Sequence, residues 1–233
     1  FISNLESLLP GTTYFIRAYA KNSAGIAYGE KLMFTTDVLD ADGNSYNAVT
    51  IGNQIWFGEN LKTTKLNDDT PIDNVIDNTA WAALTIPGYC WYNNSLTYKD
   101  IYGGLYNWFA VNTNKLCPAG WHVPSDAEWT ILSDFLLGST VAGGKMKETG
   151  ITHWTDPNTD ATNESGFTAL PGGFRNFDGT FSGRGGNGNW RSSTSDVSKP
   201  GFAWYRYIYN YAGNIYRTSG NHEGGFSVRC LKD

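Results

Sequence analysis

The sequence is short of charge. Asp, Glu, Lys and Arg together make up 17% of its 233 residues, and the net charge is −5. Its 17 Lys and Arg nowhere gather into a cluster. The electrostatic footprint of a nucleic-acid binder is therefore missing. No apolar run approaches the length of a membrane span. Histidine is scarce too: His122, His153 and His222 lie far apart and lack zinc-ligand spacing. No G-x-S-x-G elbow marks a serine hydrolase. The glycine-rich stretch 183–188 is followed by no Lys-Ser/Thr pair and sits in no strand-to-helix context, so it reads as loop rather than a phosphate cradle. The sequence opens on Phe1, so the lack of a leader segment carries no information. Cysteine is limited to Cys90, Cys117 and Cys230. An odd count leaves one thiol over if a bridge forms, and three single-bridge pairings are open. Cys90, within Gly88-Tyr89-Cys90-Trp91-Tyr92, reads as a small buried hydrophobe.

What is abundant points the other way. Hydrophobic residues reach 40% and aromatics 15%, with 9 Trp, 14 Tyr and 27 Gly. That composition supports a buried core built from short strands and tight turns, in the manner of extracellular β-rich proteins. A strand is expected over 14–21, a turn at Asn22-Ser23-Ala24-Gly25 and a second strand over 31–35. Residues 37–45 are polar and turn-rich and place a boundary. Their Asp-x-Asp-Gly-Asn spacing resembles part of a calcium loop. Ile51 and Gly52 stand where the closing acidic residue should be, so a solvated turn is the better reading. Gly52-Asn53 predicts a hairpin between 46–51 and 54–57. Residues 102–111 place Leu105, Trp108 and Phe109 on one helical face. A second helix starts at Ser125, where Ser125 and Glu128 spell a capping box; Trp129, Leu132 and Leu136 follow at helical spacing and Gly138 can end it. Further hairpins are expected around Asp178-Gly179 and Gly213-Asn214, a loop over 183–189, and a last strand over 226–230. Two helices flanked by several short antiparallel strands make an α+β domain.

Two resemblances sharpen this. The stretch Leu8-Leu9-Pro10-Gly11-Thr12-Thr13-Tyr14 and the strands after it resemble the last hairpin of a fibronectin type III sandwich, where such a Tyr forms the tyrosine corner. The resemblance implies that residues 1–36 are the C-terminal part of such a domain and that the chain belongs to a longer multidomain protein. A lone hairpin is marginal in water, so it is expected to pack on the following domain or to pair with another segment. Residues 37–233 carry Ile51-Gly52-Asn53-Gln54-Ile55-Trp56, Glu59-Asn60-Leu61-Lys62, Tyr106-Asn107-Trp108, Leu116-Cys117-Pro118-Ala119-Gly120-Trp121-His122-Val123-Pro124 and Gly225-Phe226-Ser227-Val228-Arg229-Cys230, in that order. Together they resemble the Fibrobacter succinogenes major paralogous domain, which implies an exported bacterial protein. More distantly, Val123-Pro124-Ser125-Asp126-Ala127-Glu128-Trp129 and Gly225-Phe226-Ser227-Val228-Arg229 are similar to the formylglycine-generating enzyme superfamily. That likeness implies a C-type-lectin-like fold whose termini meet in one sheet, and a bridge between Cys117 and Cys230. Those enzymes work through cysteines in the second half of the domain, and none lies between Cys117 and Cys230 here.

The functional expectation is accordingly a non-catalytic recognition module, secreted or on the cell surface, that binds a protein or surface ligand. The alternative is a carbohydrate-binding module. Aromatic rings stack on sugar faces while amides and guanidinium groups satisfy hydroxyls. The loop-rich second half offers Trp154, Arg175, Trp190, Arg191, Trp204, Tyr205 and Arg206 as ligand contacts, with Phe174 beside them. Trp190 and Trp204 also resemble positions that pack the core in related folds. Tyr207, Tyr209, Tyr211 and Tyr216 lie on the hairpin around Gly213-Asn214, and those on one face must be exposed. No metal site and no cofactor are expected. The one exception considered is calcium-assisted sugar binding, since Asp156-Pro157-Asn158 is a shortened echo of a lectin calcium motif.

Overall fold

The structure, a computed structural model, describes residues 4–8 and 11–233. Its first element is a bent hairpin. Strands β1 (Thr13–Ile16) and β4 (Leu32–Thr35) pair antiparallel, and β2 (Tyr19–Asn22) pairs with β3 (Gly25–Tyr28). Asn22 closes the turn by accepting the Ala24 N–H, as its residue type suggests. Among the described residues, the strands of this hairpin do not pack on the following domain: Phe15 and Met33 on one face, and Ile16 and Leu32 on the other, are exposed. The hairpin is joined to the body at its base, where Lys232 Nζ donates to the Gly11 carbonyl at 3.1 Å. The tyrosine-corner stretch includes residues 9 and 10, which lie outside the described residues.

The body is α+β, built from short and mostly antiparallel strands. After the small pair β5 (Val38–Leu39) and β6 (Ser45–Tyr46), β7 (Ala48–Ile51) and β8 (Gln54–Phe57) form the expected hairpin, with Gly52 at φ +62°. A side chain at Gly52 would also strike the Phe135 ring. Strand β9 (Asp73–Asn74) precedes helix α1 (Asn78–Ala82), which Asp77 caps. Strand β10 (Gly88–Cys90) pairs with β9 and with β11 (Leu105–Tyr106); helices α2 (Lys99–Tyr102) and α3 (Trp108–Val111) flank β11. One helix over 102–111 is therefore not what forms. Gly103, at φ +73°, sits so close to the Leu61 carbonyl that no side chain fits, and it breaks the helical path. Strand β12 (Trp121–His122) leads into α4 (Asp126–Phe135). The capping box is complete: Ser125 accepts the Glu128 N–H, and Glu128 accepts the Ser125 N–H. Gly138, at φ +95°, donates back to Ser133 and ends the helix.

Helix α5 (Ala142–Met146) is followed by a long loop and the pair β13 (Phe174–Arg175) and β14 (Phe181–Ser182). Then come β15 (Asn187–Ser195), β16 (Phe202–Tyr209) and β17 (Ile215–Asn221), an antiparallel sheet in that order. The loop expected over 183–189 gives way to strand at Asn187, because a bare Gly188 lets the Trp190 ring and the Leu170 carbonyl close in. Strand β18 (Leu231–Lys232) ends the body, lying between β8 and β12 in the sheet order β12-β18-β8-β7. Residues 226–230, expected as the last strand, instead make single bridges to two partners, Tyr106 to Phe226 and Trp190 to Ser227. The closing strand thus shares one sheet with the β7–β8 hairpin near the start of the body.

Two aromatic cores lie on either side of that sheet. Trp56, Trp129, Phe167, Trp190, Ile208 and Ile215 form one, with Trp56 and Trp129 centroids 4.8 Å apart. Tyr46, Phe57, Tyr106, Trp121 and Val228 belong to the other, together with both half-cystines of the Cys117–Cys230 disulfide. Cys90 is free and buried.

Candidate functional site

Five of the seven side chains expected to touch a ligand are interior, which corrects that expectation. Trp154 donates its indole N–H to the Ala169 carbonyl, and Trp190 donates to Asn60 Oδ1 at 2.9 Å. Arg175 donates to the carbonyls of Gly179, Val75 and Ile76 and to Asn78 Oδ1. Arg191 holds the carbonyls of Ala203, Gly220, Asn221 and Gly224 and lies 4.2 Å from the Phe226 ring centroid. Arg206 is tied to Asp126 at 2.7 Å and to Thr130. Buried guanidinium groups survive here because carbonyl and carboxylate oxygens replace water around them. Trp204 is partly buried on the same face as Arg206, with the Arg217 guanidinium 3.4 Å above its ring centroid. Tyr205 alone of the seven joins the surface described next.

The signature segments are interlocked. Arg229, fully buried, donates to Asn60 Oδ1 and to the carbonyls of Phe57 and Phe167. Asn60 Oδ1 takes the Trp190 N–H as well, and Asn60 Nδ2 donates to the Tyr102 carbonyl. Tyr106 donates its hydroxyl to the Thr63 carbonyl at 2.7 Å. These motif residues therefore build a polar network inside the body, while Phe226 of the closing motif meets the surface described next.

A different surface gathers on β16 and β17, on the sheet face opposite Ile208 and Ile215, where the β15 residues Asn187, Asn189 and Arg191 are covered. Strand alternation sends Trp204, Arg206 and Ile208 inward, and Tyr205, Tyr207 and Tyr209 outward. Tyr216 pairs directly opposite Tyr207, and the two rings stack at 4.9 Å and 13°. Tyr211, in the turn after β16 and 59% exposed, stacks on Tyr209 at 4.7 Å. Tyr205 and Tyr207 are 5.7 Å apart, and Tyr207 and Tyr209 5.2 Å. At the far end Tyr205 stacks on Phe226 at 4.5 Å, and Phe226 on Phe174 at 6.0 Å. The result is one continuous aromatic row. Burial, and then neighbouring phenols, push the Tyr207 hydroxyl above the ordinary phenol range, and Tyr211 moves the same way. Those two phenols are therefore uncharged at neutral pH. Two devices hold it. Lys147, fully buried, donates to the carbonyls of Thr159, Tyr209 and Ala212, pinning the turn that carries Tyr211. Asp126 binds both Arg206 and Arg217, which lie opposite each other on the hairpin and would otherwise repel.

The chemistry-bearing side chains elsewhere are engaged. His122 lies between Asp233 at 2.6 Å and Glu128 at 3.0 Å, and Ser125 Oγ donates to Glu128. His153 contacts the Glu148 carboxylate, and His222 stacks on Trp108 at 4.0 Å. Burial pushes the Cys90 thiol up to about 12. Among the described residues, no group of three or more His, Cys, Asp and Glu is placed to hold a metal ion. In the Asp156-Pro157-Asn158 stretch the Asn158 amide points inward, donating to the Glu148 and Gly150 carbonyls. No helix among the described residues is long and apolar enough to cross a membrane.

Residues 49–232 match the family model described as the Fibrobacter succinogenes major domain. The match spans well over half of the chain, and the chain belongs to that family. No curated protein and no solved structure matches it.

Proposed function

We propose that this member of the Fibrobacter succinogenes major domain family is a non-catalytic recognition module of an exported bacterial protein, and that it binds a protein or surface ligand through the tyrosine row. The continuous, partly exposed file from Tyr205 to Tyr211 carries the reading. Tyrosine supplies large, rigid, amphipathic contact area at little entropic cost, which is why it is favoured in binding surfaces. The non-catalytic part is supported by the state of the reactive groups. Cys90 is buried, Cys117 and Cys230 are tied in a disulfide, and Ser125 Oγ is bonded to Glu128 rather than to a histidine. The finer fold reading, a C-type-lectin-like body behind a fibronectin type III hairpin, draws support from the sheet that β18 shares with the β7–β8 hairpin and the Cys117–Cys230 clamp. The clamp also suits an oxidising, extracellular setting. The alternative of a glycan ligand draws on one more observation, a small aromatic depression at the Tyr205 end of the row.

The test is a mixed array of surface polysaccharides, oligosaccharides and secreted proteins. It is probed with the full chain and with a Tyr207→Ser/Tyr209→Ser/Tyr211→Ser variant whose near-ultraviolet dichroism verifies folding. Every signal of the parent is expected to fall by an order of magnitude or more. Signals that survive in the folded variant would refute the row as the contact surface.

A further inference from the structure

Resting on that reading, we infer that the row and the depression at its end form one site for a neutral glycan chain. One sugar ring seats in the depression, and adjoining units run along the tyrosines.

The depression holds about 130 Å³. Its walls are Phe174, Phe177, Tyr205 and Phe226, and its polar rim is Asn176 and Asn221. Gly220 and Gly224 contribute no side chain there; a Cβ at Gly224 would press on Phe226 and one at Gly220 on Tyr205, so bare backbone keeps the space open. Aromatic walls with a few amides are the chemistry that recognises a hydroxylated ring: carbon–hydrogen faces against aromatic carbon, hydroxyls against amide groups. Asn176 Nδ2 is bonded to Thr180, which leaves its carbonyl oxygen as an acceptor. Asn221 makes no side-chain hydrogen bond to another described residue and offers both donor and acceptor.

Charge selects the class of glycan. The single charged residue lining the depression is Arg175, and its guanidinium is turned onto three carbonyls and Asn78. Its charge is already solvated by those oxygens, so it is not offered to a ligand carboxylate. The tyrosine hydroxyls add neutral donors and acceptors along the same line. A uronate or sulfated chain would lose its hydration here without gaining a cation, whereas an uncharged chain would not. Continuity argues for one site: Tyr205 both walls the depression and begins the row.

Calorimetry with the full chain tests this, using glucose and neutral hexasaccharides of glucose, xylose and mannose, polygalacturonate fragments and a peptide library. At least one neutral hexasaccharide is expected to bind far more tightly than its monosaccharide. Both Phe177→Ala, at an exposed wall, and Tyr207→Ser are expected to weaken that binding on the order of tenfold or more. Absence of any neutral-glycan binding overturns the inference, as does a preference for uronates. So does neutral binding that Phe177→Ala leaves unchanged. If tyrosine-dependent binding is found with peptides alone, the glycan inference falls and the recognition reading stands. If no binding depends on the tyrosines, both fall.

Discussion

Removing the Cys117–Cys230 bridge measures how far the body depends on joining its pre-helix segment to its last strand. The two cysteines are 113 residues apart, so reduction releases a large loop in the unfolded chain. In the chain-entropy treatment that closure stabilises by about 5 kcal/mol at 25 °C. Both positions are buried, at 2% and 0% exposure, and sit in the core with Phe57 and Trp121, so a double alanine variant also loses some packing. Against this, β18 keeps its ladder to β8 and β12, and Arg229 keeps its carbonyl partners, so the native state barely rearranges. A net loss of about 3–5 kcal/mol is expected, a large share of the ~5–15 kcal/mol that single domains possess. Urea titration of the parent and of Cys117→Ala/Cys230→Ala, followed by tryptophan fluorescence, gives the difference directly. The slope should rise as well, because the unfolded variant exposes more surface. A loss below about 1 kcal/mol with an unchanged slope would refute the entropic account.

Three further outcomes follow from local features. Burial first, and then neighbouring acidic groups, hold the Tyr46 and Tyr106 phenols well above the ordinary range. The unfolded state therefore releases those protons near pH ~10 while the folded state keeps them, so the contribution of these two phenols to stability should be flat up to about pH 9 and fall as pH rises further. Urea midpoints at pH 7–11 check this, and Tyr46→Phe should flatten the decline. Lys147→Met strips three partly buried carbonyls of their donor and should cost about 2 kcal/mol; faster amide exchange across residues 209–213 would accompany it, and unchanged exchange there would speak against a positioning role. The bent hairpin over 13–35 exposes apolar residues on both faces, so trypsin should cut at Arg17, Lys21 or Lys31 while the tryptophan core keeps its near-ultraviolet signal. Simultaneous loss of that signal would mean the hairpin is coupled to the body.

What the sequence makes legible is what local rules decide. Ser125 and Glu128 announce α4 because a capping box needs only a four-residue window. Gly52-Asn53, Asn22-Ser23-Ala24-Gly25 and Gly213-Asn214 announce their hairpins for the same reason. The buried arginines follow no local rule. Arg229 reaches partners 61 to 172 residues away, and Arg191 partners 12 to 33 residues away, so nothing beside them in the chain marks them as interior. An arginine in a glycine-rich stretch reads as a surface group for want of that knowledge. The tyrosines were legible as an alternating set, but not which face met solvent. Ile208, opposite Ile215 across the turn, was the available clue: the two apolar residues fix the inner face, and Tyr207 and Tyr209 must then lie on the other.

That difference separates scaffold from site, and it can be measured. Asn60, Trp190 and Arg229 share one buried oxygen, Asn60 Oδ1, and through it join the segment after β8, β15 and the closing segment. Arg229→Met would leave the Phe57 and Phe167 carbonyls without that donor in the interior, at a cost of about 3 kcal/mol, or roughly 10 °C in Tm for a body of this size. Tyr211 touches Tyr209 from a solvent-facing turn and is 59% exposed, so Tyr211→Ser should cost about 1 kcal/mol or less. Ligand binding should show the reverse order. Any residual loss in Arg229→Met should track its unfolded fraction and vanish on cooling to where it is fully folded, whereas Tyr211→Ser should bind weakly at every temperature. A side chain that belongs to the network cannot be changed without destabilising the body, while one on the outer face of β16 or its turn can. The interlocked motif residues therefore carry the fold, and the proposed recognition role assigns specificity to the row from Tyr205 to Tyr216 and the depression at its end. Equal thermal penalties at Arg229 and Tyr211, or a binding defect in Arg229→Met that persists when it is folded, would break that division.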